Sequence, residues 1–369
     1  MAGAPLPTPL RRTLTLLLAL TGLAGAQVAR WDCAAPGALG AWLGSDGAVQ
    51  VGWVALAAEP GAAQATLDRR ARASIERAYR CVPELQDAEV SVYPIGTPGR
   101  MSALFAAEPL MTLSVPRARR SGWAHLPVGH WAGYDRVWYA GKLPPEPPPI
   151  PQVTHAAWPL WAQLTGLTLG GVRGEVLRRG APWAGAVALT VDDGPHPIYT
   201  PLLLAALRRE GLGASFFFIG RGARAYPYLV RDAVRQGVEI ENHSYLHLRP
   251  EGLSAAEQWA ELMRAQQLLT RLSGRAPRYF RPPGGRLTPT LLAQARQAGI
   301  TLALWTDDPA DYATRGPGQL RNRLERHLTR GAVLLLHDNA EGTLGALGPL
   351  ARELRTRGLR AVPLSELLR

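Results

Sequence analysis

Apolar and polar positions alternate along the second half of the chain in the rhythm of repeated strand–helix units. From about residue 187, short apolar runs are followed by amphipathic stretches of helical length, which is typical of parallel strands joined by helices. The predicted strands are Ala188–Asp193, Ala214–Gly220, Val238–His243, Arg278–Pro283, Thr301–Asp307, Ala332–Asp338 and Leu359–Leu364. The predicted helices include Pro201–Glu210, Tyr226–Gln236, Ala255–Leu272, Pro289–Ala298 and Gln319–Thr329.

Glycines mark the ends of several of these units, as left-handed helix caps do. They are Gly211, Gly237, Gly274, Gly299, Gly331 and Gly358. About seven strand–helix units predict an α/β fold, namely a distorted (β/α) barrel of seven to eight units, in preference to an open doubly wound sheet.

A proline-rich segment divides the chain, because prolines favour extended backbone and cannot donate backbone hydrogen bonds. We predict a linker at 143–152 between a smaller amino-terminal α+β domain, 27–142, and the barrel domain, 153–369. The first domain is predicted to hold a helix at Ala63–Arg80 and strands at Glu89–Tyr93 and Leu110–Val115. The second is predicted to begin with a helix near Trp158–Leu164 and a short hairpin near Val176–Trp183.

The amino-terminal domain carries an aromatic cluster and both cysteines of the chain. The aromatic residues are Trp123, Trp131, Tyr134, Trp138 and Tyr139; they either fill the core of a small domain or stack on sugar rings. Cys33 and Cys81 are either disulfide-bonded or two buried thiols, and the bond is favoured if the protein is exported.

The first 26 residues have the pattern of a secretory signal peptide. Arg11 and Arg12 precede an apolar run, Leu14–Leu23, and small residues follow at Ala24–Ala26; an uncleaved amphipathic leader is the alternative. The run is short for a membrane span, and no later segment predicts a transmembrane helix. We therefore expect an exported protein, extracellular, periplasmic or associated with the cell envelope.

The formal net charge of +12 comes almost entirely from arginine, since Lys142 is the only lysine. Such charge favours weak attraction to anionic envelope polymers. The arginines of the predicted amino-terminal helix are interspersed as on a solvated face, and no recognised nucleic-acid-binding module is present. We expect no nucleic-acid partner, and the sequence leaves the oligomeric state open.

Polar side chains follow the predicted strands, and parallel strands of a barrel end on one rim. Asp192 and Asp193 end the first strand and can point in opposed directions, one toward a metal and one toward a water; an acidic turn with a helix cap is the alternative. His243 and His247 follow a later strand and, at a spacing of four, reach the same side of a helical turn. With Asp193 they would form a two-histidine, one-carboxylate site with open positions.

Two further clusters supply charged side chains to the same rim. Arg281 could hold a catalytic carboxylate through paired hydrogen bonds, or could be a surface charge beside the turn that follows it. His337 ends an apolar strand and is suited to donate a proton near neutral pH.

In this order the motifs resemble the polysaccharide deacetylase family, the NodB-homology carbohydrate esterases, over about residues 187–364. The resemblance implies a NodB-like barrel that uses a divalent metal, zinc with cobalt or nickel as alternatives, to remove N-acetyl groups from N-acetylglucosamine polymers. An acetylated polysaccharide is then the expected partner, as substrate.

The resemblance also implies roles for individual residues. Asp192 is similar to the catalytic base, His337 to the acid, and Arg281 to the arginine that orients the base. Asp311 is similar to the acidic residue that supports the arginine and the acid, with Asp307 and Asp308 as alternatives. The implied metal ligands are Asp193, His243 and His247, and the implied substrate contacts are Gly284, Trp305 and Leu335. Departures from the pattern are Val191 for phenylalanine, Gly284 for tyrosine and Tyr312 for tryptophan.

Two other functions fit parts of this pattern. A secreted glycan-binding protein could keep a silent barrel, but it would not need a full set of acid, base and ligands. A hydrolase of small cyclic amides would not need an export signal.

Overall fold

The structure is a computed structural model that describes residues 27–34, 37–141, 172–173, 176–181, 183–306, 308–313, 320, 322–324 and 328–368. The predicted leader, the proline-rich linker and the helix near Trp158–Leu164 lie outside these residues. Within them, every helix is too short or too polar to cross a membrane.

The amino-terminal residues form one six-stranded sheet with its strands in chain order. The strands are β1 Gln27–Arg30, β2 Ala38–Ser45, β3 Gln50–Ala58, β4 Asp87–Pro94, β5 Met111–Pro116 and β6 Val137–Tyr139, and the helices are α1 Gln64–Cys81, α2 Met101–Ala106 and α3 Arg120–Ala124. Helix α1 is the crossover between β3 and β4, the parallel pair of the sheet. The predicted helix and both predicted strands of this region are confirmed.

The cysteines and the aromatic cluster stabilise this sheet region from inside. Cys33 and Cys81 form a disulfide, with Cα atoms 6.3 Å apart, that ties the segment after β1 to the end of α1. All five aromatic residues of the cluster are buried, with Trp131 at 0% exposure. The disulfide is therefore confirmed, and the sugar-stacking alternative is wrong because the rings fill the core.

The second sheet has nine strands, all parallel except a β7–β8 hairpin. They are β7 Val172–Arg173, β8 Val176–Leu177, β9 Ala186–Asp192, β10 Ser215–Phe218, β11 Glu239–Asn242, β12 Tyr279–Phe280, β13 Thr301–Ala303, β14 Val333–His337 and β15 Arg360–Val362. Their order is β14-β9-β10-β11-β12-β13-β8-β7, and β15 also pairs with β9. The sheet curls into a half-barrel, which confirms the predicted distorted barrel.

Helices cover the half-barrel between its strands. They are α4 Tyr199–Glu210, α5 Gly220–Ala225, α6 Pro227–Arg235, α7 Ala255–Ser273, α8 Pro289–Gln297, α9 Glu341–Thr356 and α10 Leu364–Leu367. Helix α7 begins where Ser254 and Glu257 form a capping box and ends at Gly274 in the left-handed conformation, as such signals predict. Of the predicted helix 319–329, the structure describes Leu320 and residues 322–324 as helical.

One large buried apolar cluster spans the two sheets. Trp42 and Trp53 of the first sheet belong to the same buried cluster as Leu202 of α4. Gly44 lies so close to α4 that an added Cβ would stand 2.4 Å from Ile198. The amino-terminal sheet therefore covers an apolar helix face of the half-barrel.

A buried ionic network also joins the two regions. Arg136, after α3, donates hydrogen bonds to Asp87 of β4 and to Asp232 of α6, and Ser114 donates to both Asp87 oxygens. Burial raises the pKa of Asp87 to about 6, although the Arg136 charge opposes the shift. We call this group the seam network.

Candidate active site

The strands of the half-barrel bring the predicted catalytic clusters to one edge. His337, the last residue of β14, is the direct partner of Asp192, the last residue of β9, in the parallel ladder. His243 follows β11 immediately, and Arg281 follows β12, which pairs with β11. Since parallel strands end on the same rim, residues distant in sequence become neighbours.

Asp193, His243 and His247 form a compact group whose ligand atoms all lie within 4.8 Å of one another. Asp193 Oδ1 lies 3.4 Å from His243 Nε2 and 3.3 Å from His247 Nε2. This oxygen is buried and accepts no hydrogen bond from the described residues. A buried carboxylate oxygen without a donor, facing two imidazoles, fits a divalent metal.

The hydrogen bonding of His243 prepares the nitrogen that faces Asp193. Its Nδ1 lies 2.8 Å from the carbonyl oxygen of Arg281, so Nδ1 is a hydrogen-bond donor and Nε2 is the nitrogen left to bind a metal. Burial lowers the pKa of His247 to about 4, with the His243 charge adding to the shift. Burial would raise the pKa of Asp193, but the surrounding imidazoles outweigh it and hold that pKa below its usual range.

The backbone of the His243–His247 segment is a loop, so the prediction that the two histidines share a helical turn is wrong. Asn242 Oδ1 accepts from Ser244 N at 3.0 Å, and Ser244 Oγ accepts from His247 N at 3.0 Å. Ser244 and His247 adopt left-handed φ angles of 66° and 64°. These side-chain-to-backbone bonds compete with helix formation and fold the segment back on itself.

Arg281 fixes one oxygen of Asp192. Its Nη1 donates to Asp192 Oδ1 at 2.6 Å and to Thr190 Oγ1 at 2.9 Å. Its Nε and Nη2 donate to the carbonyls of Ala303 and Leu304. Arg281 is fully buried, so the surface-charge alternative is wrong, as is the expected pairing of two guanidinium nitrogens with the carboxylate. None of the described residues donates a hydrogen bond to Asp192 Oδ2.

Asp311 holds His337 through two contacts. Its Oδ1 lies 2.7 Å from His337 Nδ1, and its Oδ2 accepts from His337 N at 2.6 Å. Burial would lower the pKa of His337, but Asp311 raises it to about 9, with smaller contributions from Asp192 and Asp193. Asp311 therefore supports the proposed acid, His337, as the resemblance implies. It does not support Arg281, whose hydrogen bonds go to Thr190, Asp192 and two carbonyls.

The expected substrate contacts occupy different depths. Gly284 lies in the single 3₁₀ turn after Arg281, with φ 65°. Trp305 packs 5.7 Å from the Arg281 guanidinium, and Leu335 is buried in β14 beside Thr190. Tyr312, which is 63% exposed, stands edge-on to His337 at 5.2 Å. Their roles toward a substrate stay predictions.

Three polar residues of the site were missed by sequence reasoning. Asn339 donates to Asp193 Oδ2 at 3.2 Å, Thr343 donates to Asp311, and Thr190 accepts from Arg281. Asn339 follows His337 by two residues, so the strand-end cluster could have been extended to it. Thr343 gave no comparable signal because it lies in α9.

Comparisons with known proteins agree with this arrangement. A sequence model described as polysaccharide deacetylase matches residues 180–303. A peptidoglycan-N-acetylglucosamine deacetylase of Bacillus cereus is 35% identical over 50% of this chain and 88% of its own length. A chitooligosaccharide deacetylase of Bradyrhizobium is 32% identical over 49% of this chain and 90% of its own length.

Solved structures show the same likeness. A peptidoglycan N-acetylglucosamine deacetylase is 27% identical with a TM-score of 0.52, covering 56% of this chain and 95% of its own. A family 4 carbohydrate esterase pseudoenzyme of Bacillus anthracis is 26% identical with a TM-score of 0.51, covering 55% and 70%; a mutant of that protein has restored enzymatic activity. By these matches and the ordered motifs on its rim, the chain belongs to the polysaccharide deacetylase family, carbohydrate esterase family 4.

Proposed function

We propose that this protein is a metal-dependent deacetylase that hydrolyses N-acetyl groups of N-acetylglucosamine-containing cell-envelope polysaccharide. One observation carries the proposal: the orphaned Asp193 oxygen lies between two imidazoles, and the neighbouring Asp192 turns Oδ2 toward the same histidine, 3.7 Å from His243 Nε2. A site that combines metal ligands, a base and a protonated histidine fits hydrolysis of an unreactive amide.

The metal would be held by Asp193, His243 and His247, with zinc as the first choice and cobalt or nickel as alternatives. A divalent metal bound there would polarise the acetyl carbonyl and lower the pKa of water from 15.7 toward about 7. Two imidazoles and one carboxylate leave open positions for water and substrate.

Asp192 is the proposed general base. Arg281 holds Oδ1, so Oδ2 is the oxygen that takes the proton from the attacking water. Arg281 is a positioning residue here, because it acts through Asp192 rather than on the substrate. The water oxygen forms a bond to the acetyl carbon as the carbonyl π bond opens. The carbon–nitrogen bond then breaks when the nitrogen receives a proton.

His337 is the proposed general acid. Asp311 occupies Nδ1, which leaves Nε2 to deliver its proton to the departing sugar nitrogen. With a pKa of about 9, the imidazolium is already formed at neutral pH. Acetate and a free sugar amine are the products, and the proton taken by Asp192 balances the one given by His337.

We further propose that the protein is exported and acts at the cell envelope. The leader-like pattern of the first 26 residues and the Cys33–Cys81 disulfide support an oxidising compartment. The named relatives that act on peptidoglycan support the same location.

The test is acetate release by the zinc-loaded protein from a panel of N-acetylated and O-acetylated glycans. We expect release from N-acetylated glycans, loss of it on chelation, and recovery when zinc is returned. Glycan binding without acetate release would contradict the proposal and support a silent barrel, as in the Bacillus anthracis pseudoenzyme.

A further inference from the structure

A cavity of about 310 Å³ lies where the amino-terminal sheet region meets the half-barrel. Residues 105–108 and Trp138 form its amino-terminal wall, and α5, Tyr226 and Arg264 form much of the other. The cavity also touches Tyr245 and Leu246, which lie between His243 and His247 in the chain. This seam cavity therefore shares a loop with the proposed metal ligands.

Positive charge dominates the lining of the seam cavity. Arg221, Arg224 and Arg264 line it, and Glu108 is the one acid among its described lining residues. Glu108 is already engaged, since it lies 3.3 Å from Arg224. The cavity wall thus carries more guanidinium groups than carboxylates.

Hydrogen bonds compensate the guanidinium group of Arg221 only in part. Its Nη1 donates to the carbonyl of Ala106 at 3.2 Å, while its buried Nε donates to none of the described residues. The negative charge of Glu261 acts on Arg221, but Glu261 already accepts a hydrogen bond from Leu246 N at 2.8 Å. Burial lowers the pKa of Arg221, which is the mark of a cation short of partners.

Trp138 adds a second buried donor on the opposite wall. Its Nε1 is also without an acceptor among the described residues, and its ring packs in a small buried cluster with Tyr226 and Tyr228 of the half-barrel. Guanidinium groups and an indole N–H around a small concave space favour an anion with planar oxygens, and a carboxylate matches the guanidinium fork.

We propose that the seam cavity binds a carboxylate-bearing substituent of the glycan strand whose acetyl group lies at the metal site. The inference rests on the proposed function, because it places the same substrate across both sites. The amino-terminal region would then take part in substrate choice. A glycan strand with carboxylates would compensate the charge of Arg221, and a neutral glycan strand would leave that charge without a counter-ion.

The experiment compares one glycan in two forms, an N-acetylated strand with free lactyl carboxylates and the same strand with those groups converted to methyl amides. Acetate release gives kcat and KM for each form, and equilibrium binding to the metal-free protein gives Kd. For the wild-type protein, we expect KM and Kd to be about tenfold higher for the methyl-amide glycan than for the carboxylate glycan, with kcat little changed.

Three variants separate charge from fold. In Arg221→Gln the preference for the acidic strand should fall from about tenfold to near unity, and Arg221→Lys should keep part of it because the charge remains. Arg271→Gln is the matched control, since Arg271 is exposed on α7 and outside the cavity. Thermal unfolding of each variant checks that the fold is intact.

The outcomes distinguish this inference from the proposed function. Two results would overturn the seam site while deacetylation stands. One is that the wild-type protein has the same KM and Kd for both forms of the glycan, and the other is that Arg221→Gln keeps the full preference for the acidic form. If no glycan releases acetate, the proposed function fails, and the Kd comparison still decides whether the cavity prefers the carboxylate.

Discussion

Two buried arginine–aspartate pairs, one on the rim of the half-barrel and one at the seam, show how similar contacts serve different ends. At the rim, Arg281 binds one oxygen of Asp192 and leaves the other without a donor among the described residues. At the seam, both oxygens of Asp87 accept hydrogen bonds, from Ser114 and Arg136. A buried carboxylate can act as a base where one oxygen remains free; where both are bound, it is structural.

The strongest test of this comparison is Asp192→Asn. The amide oxygen can still accept from Arg281, but the base is gone, so kcat should fall about 10³-fold. The free energy of unfolding should drop by no more than about 2 kcal/mol, since Thr190 and two carbonyls still bind the guanidinium. Unchanged acetate release in a properly folded variant would reject Asp192 as the base.

The reverse result is expected for Arg136→Met. Removing the cation leaves the buried Asp87 without its counter-charge, whereas Asp232 keeps Arg235 at 2.8 Å. The loss should cost about 3–5 kcal/mol in urea unfolding at pH 8. Acetate release per folded molecule should change less than twofold. If kcat fell while the free energy of unfolding stayed at the wild-type value, the seam network would have a role in catalysis and not in stability.

The same variant has a pH dependence with a defined sign. Burial raises the folded-state pKa of Asp87 to about 6, above its unfolded value, so this group's contribution to stability is greatest in acid and is lost as pH rises through 6. Without Arg136 that pKa rises further. The stability gap between wild type and Arg136→Met should therefore narrow as pH falls from 8 to 5; a constant gap would contradict this.

A smaller effect is expected from the disulfide. Replacing Cys33 and Cys81 together by serine frees a loop closed over a separation of 48 residues, which should cost about 2–4 kcal/mol. Urea unfolding measures the loss, and kcat should be retained because the bond lies in the amino-terminal region. Loss of kcat in folded protein would show that this region controls the rim.

The smallest effect is a shift in the pH profile of Asp311→Asn. Because Asp311 raises the pKa of His337 to about 9, its replacement should return that pKa toward about 6.5. The imidazolium is present below its pKa, so the alkaline limb of kcat should move to lower pH. Thr343→Val, which removes a hydrogen bond to the same carboxylate, is a milder control. If the alkaline limb of kcat did not move in Asp311→Asn, His337 would be rejected as the acid.

The sequence predicted the half-barrel far better than the first sheet. Several strands of the half-barrel, among them β9, β10 and β14, are short apolar runs, and a glycine follows most of its helices, so pattern and structure agree there. Strands β2 and β3 contain many alanines and glycines, which have low strand propensity. Tertiary packing against α1 and α4 forms these strands, and a local pattern does not record such packing.

The candidate site divides in the same way. Ligand and acid–base types could be predicted because strand ends recur at one rim. The loop that joins His243 to His247 could not, because Asn242 and Ser244 determine it through side-chain bonds to the backbone. The Asn339 contact with Asp193 could have been predicted, because Asn339 lies two residues after the strand end at His337.

The close approach of Gly44 to Ile198 has a consequence for how such proteins can evolve. A recombination event that exchanged the first sheet for an unrelated one would expose an apolar face of α4 whose shape is complementary to the original sheet. A side chain larger than glycine at position 44 would require smaller or displaced side chains at both Ile198 and Leu202. The two halves are therefore expected to be inherited together, and this catalytic half would not be a portable module.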